Sequence, residues 1–268
     1  MKPAPESQGG TLVWENLTWE EVPQALQRAA GAVLWPFGAT EQHGPHLGLG
    51  VDTIIASRVS AAVSARTRVP VLPPMPIGCS LGHTRRWPGT LSLMPRTLAA
   101  VVVEVGAWLY AAGVRRLFMI NAHVTNHAPL RCALEELRFA HPDMMIALIN
   151  TADISPRVQA SFFAEGPDWH ANAAETSLML YLHRDGCRPE RCAQADDPDR
   201  TLERQFAHPV SHTSRNGVTG APSQASIENG EKLFAQMVED LSQRVFAGLQ
   251  EIPPLEPTPT SPEPQTIS

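Results

Sequence analysis

The sequence predicts an α/β fold, a mostly parallel sheet sandwiched by helices. Three observations carry that expectation. Short apolar runs alternate with longer stretches of helical periodicity, the order produced when each strand is followed by a crossover helix. The short runs are apolar almost throughout, as in strands covered on both faces. Chemically unusual residues stand just after these runs, where ligands gather in open parallel sheets.

Taken in order, the run AVLWPF (32–37) reads as a buried strand. A helix follows over 53–66, with Asp52 or Thr53 in the N-cap position. Residues 69–75 (VPVLPPM) read as a second strand, frayed by prolines. The strongly apolar stretch 97–113 is a helix that Gly113 closes. Strands at 116–121 and 144–150 bracket a helix at 128–140, and helices at 175–185 and 230–249 complete the domain. That domain spans 13–250. Residues 1–12 and the proline-rich 251–268 have little to bury and read as flexible tails.

Composition narrows the function classes. Of 268 residues, 43% are hydrophobic and 18% charged, as in a soluble globular protein, and the formal net charge is −6. An acidic chain whose basic residues form only pairs (Arg85-Arg86, Arg115-Arg116) offers no phosphate-binding stripe, so no nucleic-acid partner is expected. No apolar stretch approaches the ~18 residues of a membrane span, so no membrane partner is expected either. The N-terminus lacks the apolar core of a signal peptide. Cys79, Cys132, Cys187 and Cys192 form no C-x-x-C pair and read as buried or idle thiols, which fits a cytoplasmic protein.

The chemistry-bearing residues lie in a few short stretches. After the first strand come Glu41, His43 and Asp52, a mixed oxygen and nitrogen set of the kind zinc and manganese accept. In an extended loop Glu41 and His43 can both face inward if Gln42 faces away. Asp52 can instead be an N-cap, and His43 a hydrogen-bonded loop histidine. After the strand 116–121 comes NAHVTNH, which puts His123 at a strand end flanked by Asn121 and Asn126; His127, at the next helix start, reads as structural. After 144–150 a long irregular connection leads to DWHANAAETS, with His170 and Glu175 five apart. Glu175 can also serve the helix N-terminus and its dipole. The glycine- and hydroxyl-rich stretch 78–93, with Ser80 and His83, suits a loop that closes over a substrate. Without a G-x-S-x-G elbow Ser80 is a poor nucleophile, and no P-loop or G-x-G-x-x-G fingerprint is present. Three strand ends delivering metal-type residues to one sheet edge are explained together by one shared site.

These stretches resemble the creatininase family of metal-dependent amidohydrolases. GATEQHGPHLGLGVD (38–52) is similar to the family pattern G-[ST]-x-E-Q-H-G-P-H-L-P-x-x-x-D, and PGTLSL stands intact at 88–93. NAHVTN (121–126) takes the place of N-G-H-G-G-N, and HANAAETS (170–177) that of H-A-G-x-x-E-T-S. The resemblance implies two divalent metal ions per chain, zinc or manganese, with iron as a further option. Glu41 and His123 would hold one, His43 and Glu175 the other, and Asp52 would bridge them. It makes His170 the catalytic proton shuttle and His46 a supporting residue. Ser80, His83, Asn121, Thr125, Asn126 and Trp169 are expected to bind substrate or to support the metal ligands, and the amides near Gly78–Ser80 to hold an oxyanion. It also implies a homo-oligomer, commonly a hexamer, which the apolar helix 97–112 could serve.

The expected activity is hydrolysis of a C–N bond in an amide, lactam or formamide, a small-molecule substrate. Creatinine itself is disfavoured, because members that hydrolyse it carry a glutamate where this chain has Thr125, and Asn172 replaces a glycine beside His170. Two alternatives stand beside it: a peptidase trimming a modified precursor peptide in cofactor biosynthesis, and a non-catalytic oligomeric scaffold or small-molecule sensor.

Overall fold

A computed structural model describes residues 10–255. In chain order its main elements are α1 (Val22–Arg28), β1 (Ala32–Phe37), α2 (Val51–Thr67), α3 (Pro95–Ala111), β2 (Arg116–Asn121) and α4 (His127–Ala140). There follow β3 (Met145–Asn150), α5 (Pro156–Phe162), α6 (Ala173–Leu182), α7 (Cys192–Ala195), α8 (Val210–Thr213) and α9 (Ile227–Gln250).

The sheet is parallel, with β2 between β1 and β3. Phe37, Asn121 and Asn150 end the three strands in register, so their carboxyl ends form one edge. Successive side chains of a strand point to opposite faces, and both faces are covered. Val33, Trp35, Phe37, Leu117 and Met119 join a core with Leu98, Val102, Leu130 and Leu134 of α3 and α4. Leu34, Phe118 and Ile120 join the other core, with Ile55, Val59, Leu178, Met237 and Leu241 of α2, α6 and α9. This two-sided burial is why the strands read as unbroken apolar runs.

The expected strand at 69–75 is only partly a strand. Val71 and Met75 each bridge β1 in parallel, and Leu72 N–H donates to Leu34 O (2.9 Å). Prolines at 70, 73, 74 and 76 have no N–H to donate, so no continuous ladder forms. The connection after β3 is more ordered than expected, because α5 occupies part of it, with Ser155 accepting from the Val158 N–H as its cap. Helix α3 stops where Gly113 takes a φ of +103°. Thr11 and Leu12, within the expected N-terminal tail, hydrogen-bond to Ala61 and Ser64 of α2, while residues 1–9 and 256–268 lie outside the described residues. Among the described residues no helix is long and apolar enough to cross a membrane.

Helices α6 and α9 cross with their backbones almost touching: a Cβ on Gly230 would stand 1.9 Å from Ser177 O. Gly230→Ala is therefore expected to lower stability by about 1–3 kcal/mol through overpacking, seen as a thermal midpoint several degrees lower. An unchanged midpoint would show that this crossing can relax.

Candidate metal centre

The loop after β1 is held open by the segment 88–93. Leu91 N–H donates to Thr40 O (2.9 Å), Gln42 N–H donates to Thr90 Oγ1 (3.0 Å), and Glu41 N–H donates to Leu49 O (2.9 Å). Pinned on both sides, the backbone aims Glu41 and His43 at Asp52, while the Gln42 side chain, expected to face away, runs along the flank of the site to His83 and His170. Helix α2 begins at Val51 with Gly50 as its N-cap, so Asp52 lies in the first turn and does not cap. That corrects the capping expectation and frees the Asp52 carboxylate to face the loop.

Two donor sets come together around that carboxylate. Glu41, Asp52 and His123 form one, and His43, Asp52 and Glu175 the other. His123 Nδ1 is 3.3 Å from Glu41 Oε1 and 3.2 Å from Asp52 Oδ2. His43 Nε2 is 3.3 Å from Asp52 Oδ1 and 3.8 Å from Glu175 Oε1. Donors that share one ion at about 2.1 Å stand roughly 3–3.5 Å from each other, so these spacings fit a cation in each set. The orphaned atoms agree: both Glu41 oxygens, His43 Nε2 and Asp52 Oδ2 are buried with no hydrogen-bond partner, a costly state unless another ligand completes it. The outward nitrogens are engaged. His43 Nδ1–H donates to Glu41 O (3.2 Å) and His123 Nε2–H donates to Cys79 O (3.0 Å), so in the neutral rings the inward nitrogens are the lone pairs that can meet a cation.

Without cations, protons compensate the charges. Burial alone would push His43 down, but the Asp52 and then the Glu175 carboxylates outweigh it and hold it well above the ordinary histidine range. Burial opposes His123 likewise, and Glu41 and Asp52 raise it. Burial alone would raise Glu41 and Asp52, but His123 and His43 respectively lead the groups that draw them down. The raised histidines stabilise the metal-free fold fully below their unfolded pKa of about 6.5, and that contribution fades as pH rises through the folded values. A cation must displace those protons, so metal loading is expected to release protons and to strengthen as pH rises. Titration calorimetry with Zn²⁺ in two buffers of different ionisation enthalpy checks this; identical heats would contradict it.

The remaining sequence candidates divide. His170 faces the same space, with Nδ1 3.7 Å from Glu41 Oε1 and its ring 4.3 Å from that of His43. It lines a cavity of about 400 Å³ together with Glu41, Asp52, His83, His123 and Trp169. Thr125 lines it too, and its hydroxyl sits 2.5 Å from His123 Nε2. Ser80 stands behind His123 at 3.3 Å, and Asn121 donates to His123 O (2.7 Å). Asn126 knots three segments, accepting from Cys79 N–H (2.8 Å) and donating to Gly38 O (2.9 Å). His46 reaches Thr176 Oγ1 (2.8 Å) and belongs to neither donor set. His127 is exposed and meets Asn150.

Three expectations change. The amides of Cys79 and Ser80 do not offer an oxyanion hole, because they already donate to Asn126 Oδ1 and to Ser92 Oγ (2.7 Å). The carboxyl end of β3 delivers Asn150, which accepts from Asn121, and no metal-type residue; His170 comes from the approach to α6 and Glu175 from its first turn. Asn172, the departure beside His170, is the N-cap of α6: its Oδ1 accepts from Glu175 N–H (3.1 Å) and its amide donates to Phe162 O (2.8 Å). Glu175 still serves the turn with one oxygen, accepting from Ala171 N–H at 2.6 Å, while the other faces His43.

Sequence reasoning missed two contributors. Gln42, between two donors, is nearly buried and touches His83 and His170. The stretch 196–220 carries no strong sequence signal, yet Thr219 exchanges two backbone hydrogen bonds with His170 (3.0 and 2.8 Å). Asp197 anchors that stretch by accepting from Ser214 Oγ and Arg215 N–H. The N-G dipeptide at 216–217 and the G-A-P sequence at 220–222 were the available turn signals.

The chain is similar to known proteins along most of its length. The family model for creatinine amidohydrolase matches residues 15–245. A mycofactocin precursor peptide peptidase of Mycobacterium tuberculosis is 32% identical over 82% of this chain and 86% of its own length. A creatinine amidohydrolase of Pseudomonas putida is 30% identical over 89% of this chain and 96% of its own. A solved structure described as creatininase Mn superposes with a TM-score of 0.76 at 29% identity, covering 90% of this chain and 100% of that one.

Proposed function

The chain belongs to the creatininase family, and from that premise we propose that it hydrolyses a small amide, lactam or formamide with two divalent ions. Glu41, Asp52 and His123 would hold one ion, and His43, Asp52 and Glu175 the other. The observation that carries this reading is the division of one buried carboxylate, Asp52 Oδ2 toward His123 and Oδ1 toward His43. When bound, the ions supply Lewis acidity, lowering the pKa of water and polarising a carbonyl.

The chain's own residues do the rest. His170 Nε2–H donates to Gln42 O (2.8 Å), which leaves Nδ1 as an acceptor facing the cavity. Nδ1 takes the proton of the attacking water as its oxygen adds to the carbonyl carbon, and passes that proton to the nitrogen as the C–N bond breaks. Trp169, packed on Phe162 and Phe163, forms an apolar wall. A cavity of about 400 Å³ lies toward the small end of ligand pockets, which supports a compact substrate. Thr125 brings no carboxylate there, which argues against creatinine.

A peptide substrate is the second reading, favoured by the peptidase relative, which is as similar in sequence as the creatinine amidohydrolase. Cytoplasmic residence is supported by four free thiols, and homo-oligomerisation by α3, where Trp108 is 77% exposed. The donor set suits zinc or manganese equally. Elemental analysis, with activity after chelation and add-back of each metal, tests the proposal on lactams, formamides, creatinine and a precursor peptide. Metal-restored turnover of a lactam or formamide supports it; turnover of the peptide alone favours the second reading.

A further inference from the structure

The amides of Cys79 and Ser80 are engaged, so a hydrogen bond for the scissile carbonyl oxygen comes from elsewhere. The hydrogen-bond polarity around Gln42 points to the source. Gly44 N–H donates to Gln42 Oε1 (2.9 Å), and Gln42 Nε2 donates to Gly217 O (3.0 Å). Backbone N–H and C=O have fixed polarity, so the amide can stand only this way round. One Nε2 proton remains.

Two imidazoles lie within reach of it, His83 Nδ1 at 2.9 Å and His170 Nε2 at 3.1 Å. His170 Nε2 also faces Gln42 O at 2.8 Å, and a carbonyl oxygen can only accept. His170 Nε2 therefore carries its own proton and cannot take another. The remaining amide proton goes to His83 Nδ1, which must be a lone pair, and so the proton of His83 resides on Nε2. That atom lies 3.8 Å from Glu41 Oε2, beyond hydrogen-bond length, on the wall of the same cavity.

Gln42 thus sets opposite polarities on two rings whose centroids are 4.6 Å apart. His170 presents an acceptor and His83 a donor. We propose that His83 Nε2–H donates to the substrate's carbonyl oxygen and holds it as it becomes an oxyanion, with Gln42 as the positioning residue that fixes the tautomer. This rests on the hydrolase reading above. When water oxygen adds to the carbonyl carbon, the C=O π pair moves onto oxygen and His83 keeps its proton while hydrogen-bonding it. When that pair re-forms C=O, the C–N bond breaks and nitrogen receives the proton carried by His170.

The test combines structure and kinetics on the zinc-loaded enzyme. Long-range ¹⁵N–¹H spectra are expected to show His83 protonated at Nε2 and bare at Nδ1. His83→Ala is expected to keep its zinc and lose ~10²–10³-fold in kcat with little change in KM. Gln42→Glu, which removes the amide donor, should move the His83 proton to Nδ1 and reproduce the kcat loss. An Nδ1–H tautomer in the wild type, or unimpaired turnover by His83→Ala, overturns the inference alone. Zinc loss from His83→Ala would mean that it only steadies Glu41, which also overturns it. A wild type without zinc-dependent turnover overturns this inference and the hydrolase reading together.

Discussion

Asp52→Asn is expected to empty both halves of the centre at once. Each of the two donor sets contains this one residue, and it gives a different oxygen to each. An amide keeps the shape but replaces one anionic oxygen with an NH₂ that repels cations. It also withdraws the charge that keeps His43 and His123 oriented in a fully buried site. The variant should fall from about two ions per chain to well under one, and turnover by at least ~10³-fold, the several kcal/mol that a Lewis-acid centre supplies. Glu41→Ala and Glu175→Ala each strip one set and should lose one ion first. Metal analysis after dialysis distinguishes these patterns. Retention of both ions by Asp52→Asn would mean that the carboxylate is only a partner for two histidines.

His170→Ala is expected to do the opposite, keeping the metal and losing the reaction. Its Nε2 is committed to Gln42 O and its backbone to Thr219, so the ring is held independently of any cation. Removing a positioned general base costs ~10²–10⁴-fold in kcat, and the metal complement should not change. The competing role is visible in the same geometry, because Glu41, His43 and His170 also group closely enough to share an ion. Loss of metal from His170→Ala would make it a ligand and leave the proton transfer without its carrier.

Much of the fold was legible because its elements obey local rules. The strands of Val33 and Met119 are buried on both faces and announce themselves as apolar runs, the half-buried strand of Ile149 is apolar too, and α4 and α9 carry a clear 3.6-residue stripe. The broken strand at 69–75 was half legible, since its prolines were visible but not the number of ladder bonds that survive them. At the site, the ends of β1 and β2 marked Glu41, His43 and His123. Asp52 was ambiguous because a carboxylate before a helix serves equally as cap or ligand; only the start of α2 at Val51 separates them. The misjudged amides of Cys79 and Ser80 have a similar cause. Their acceptors, Asn126 and Ser92, lie 47 and 12 residues away, and no local pattern records such a contact. Gln42 was overlooked because uncharged amides carry no chemical signature until the polarity of every neighbour is known.

The most direct measurement of the central idea is anomalous diffraction from crystals of the metal-loaded protein at the metal's absorption edge. Two peaks about 3.5–4 Å apart, one on each side of the Asp52 carboxylate, are expected. A single peak, or density that leaves Glu175 or His123 without an ion, would contradict a shared two-metal centre.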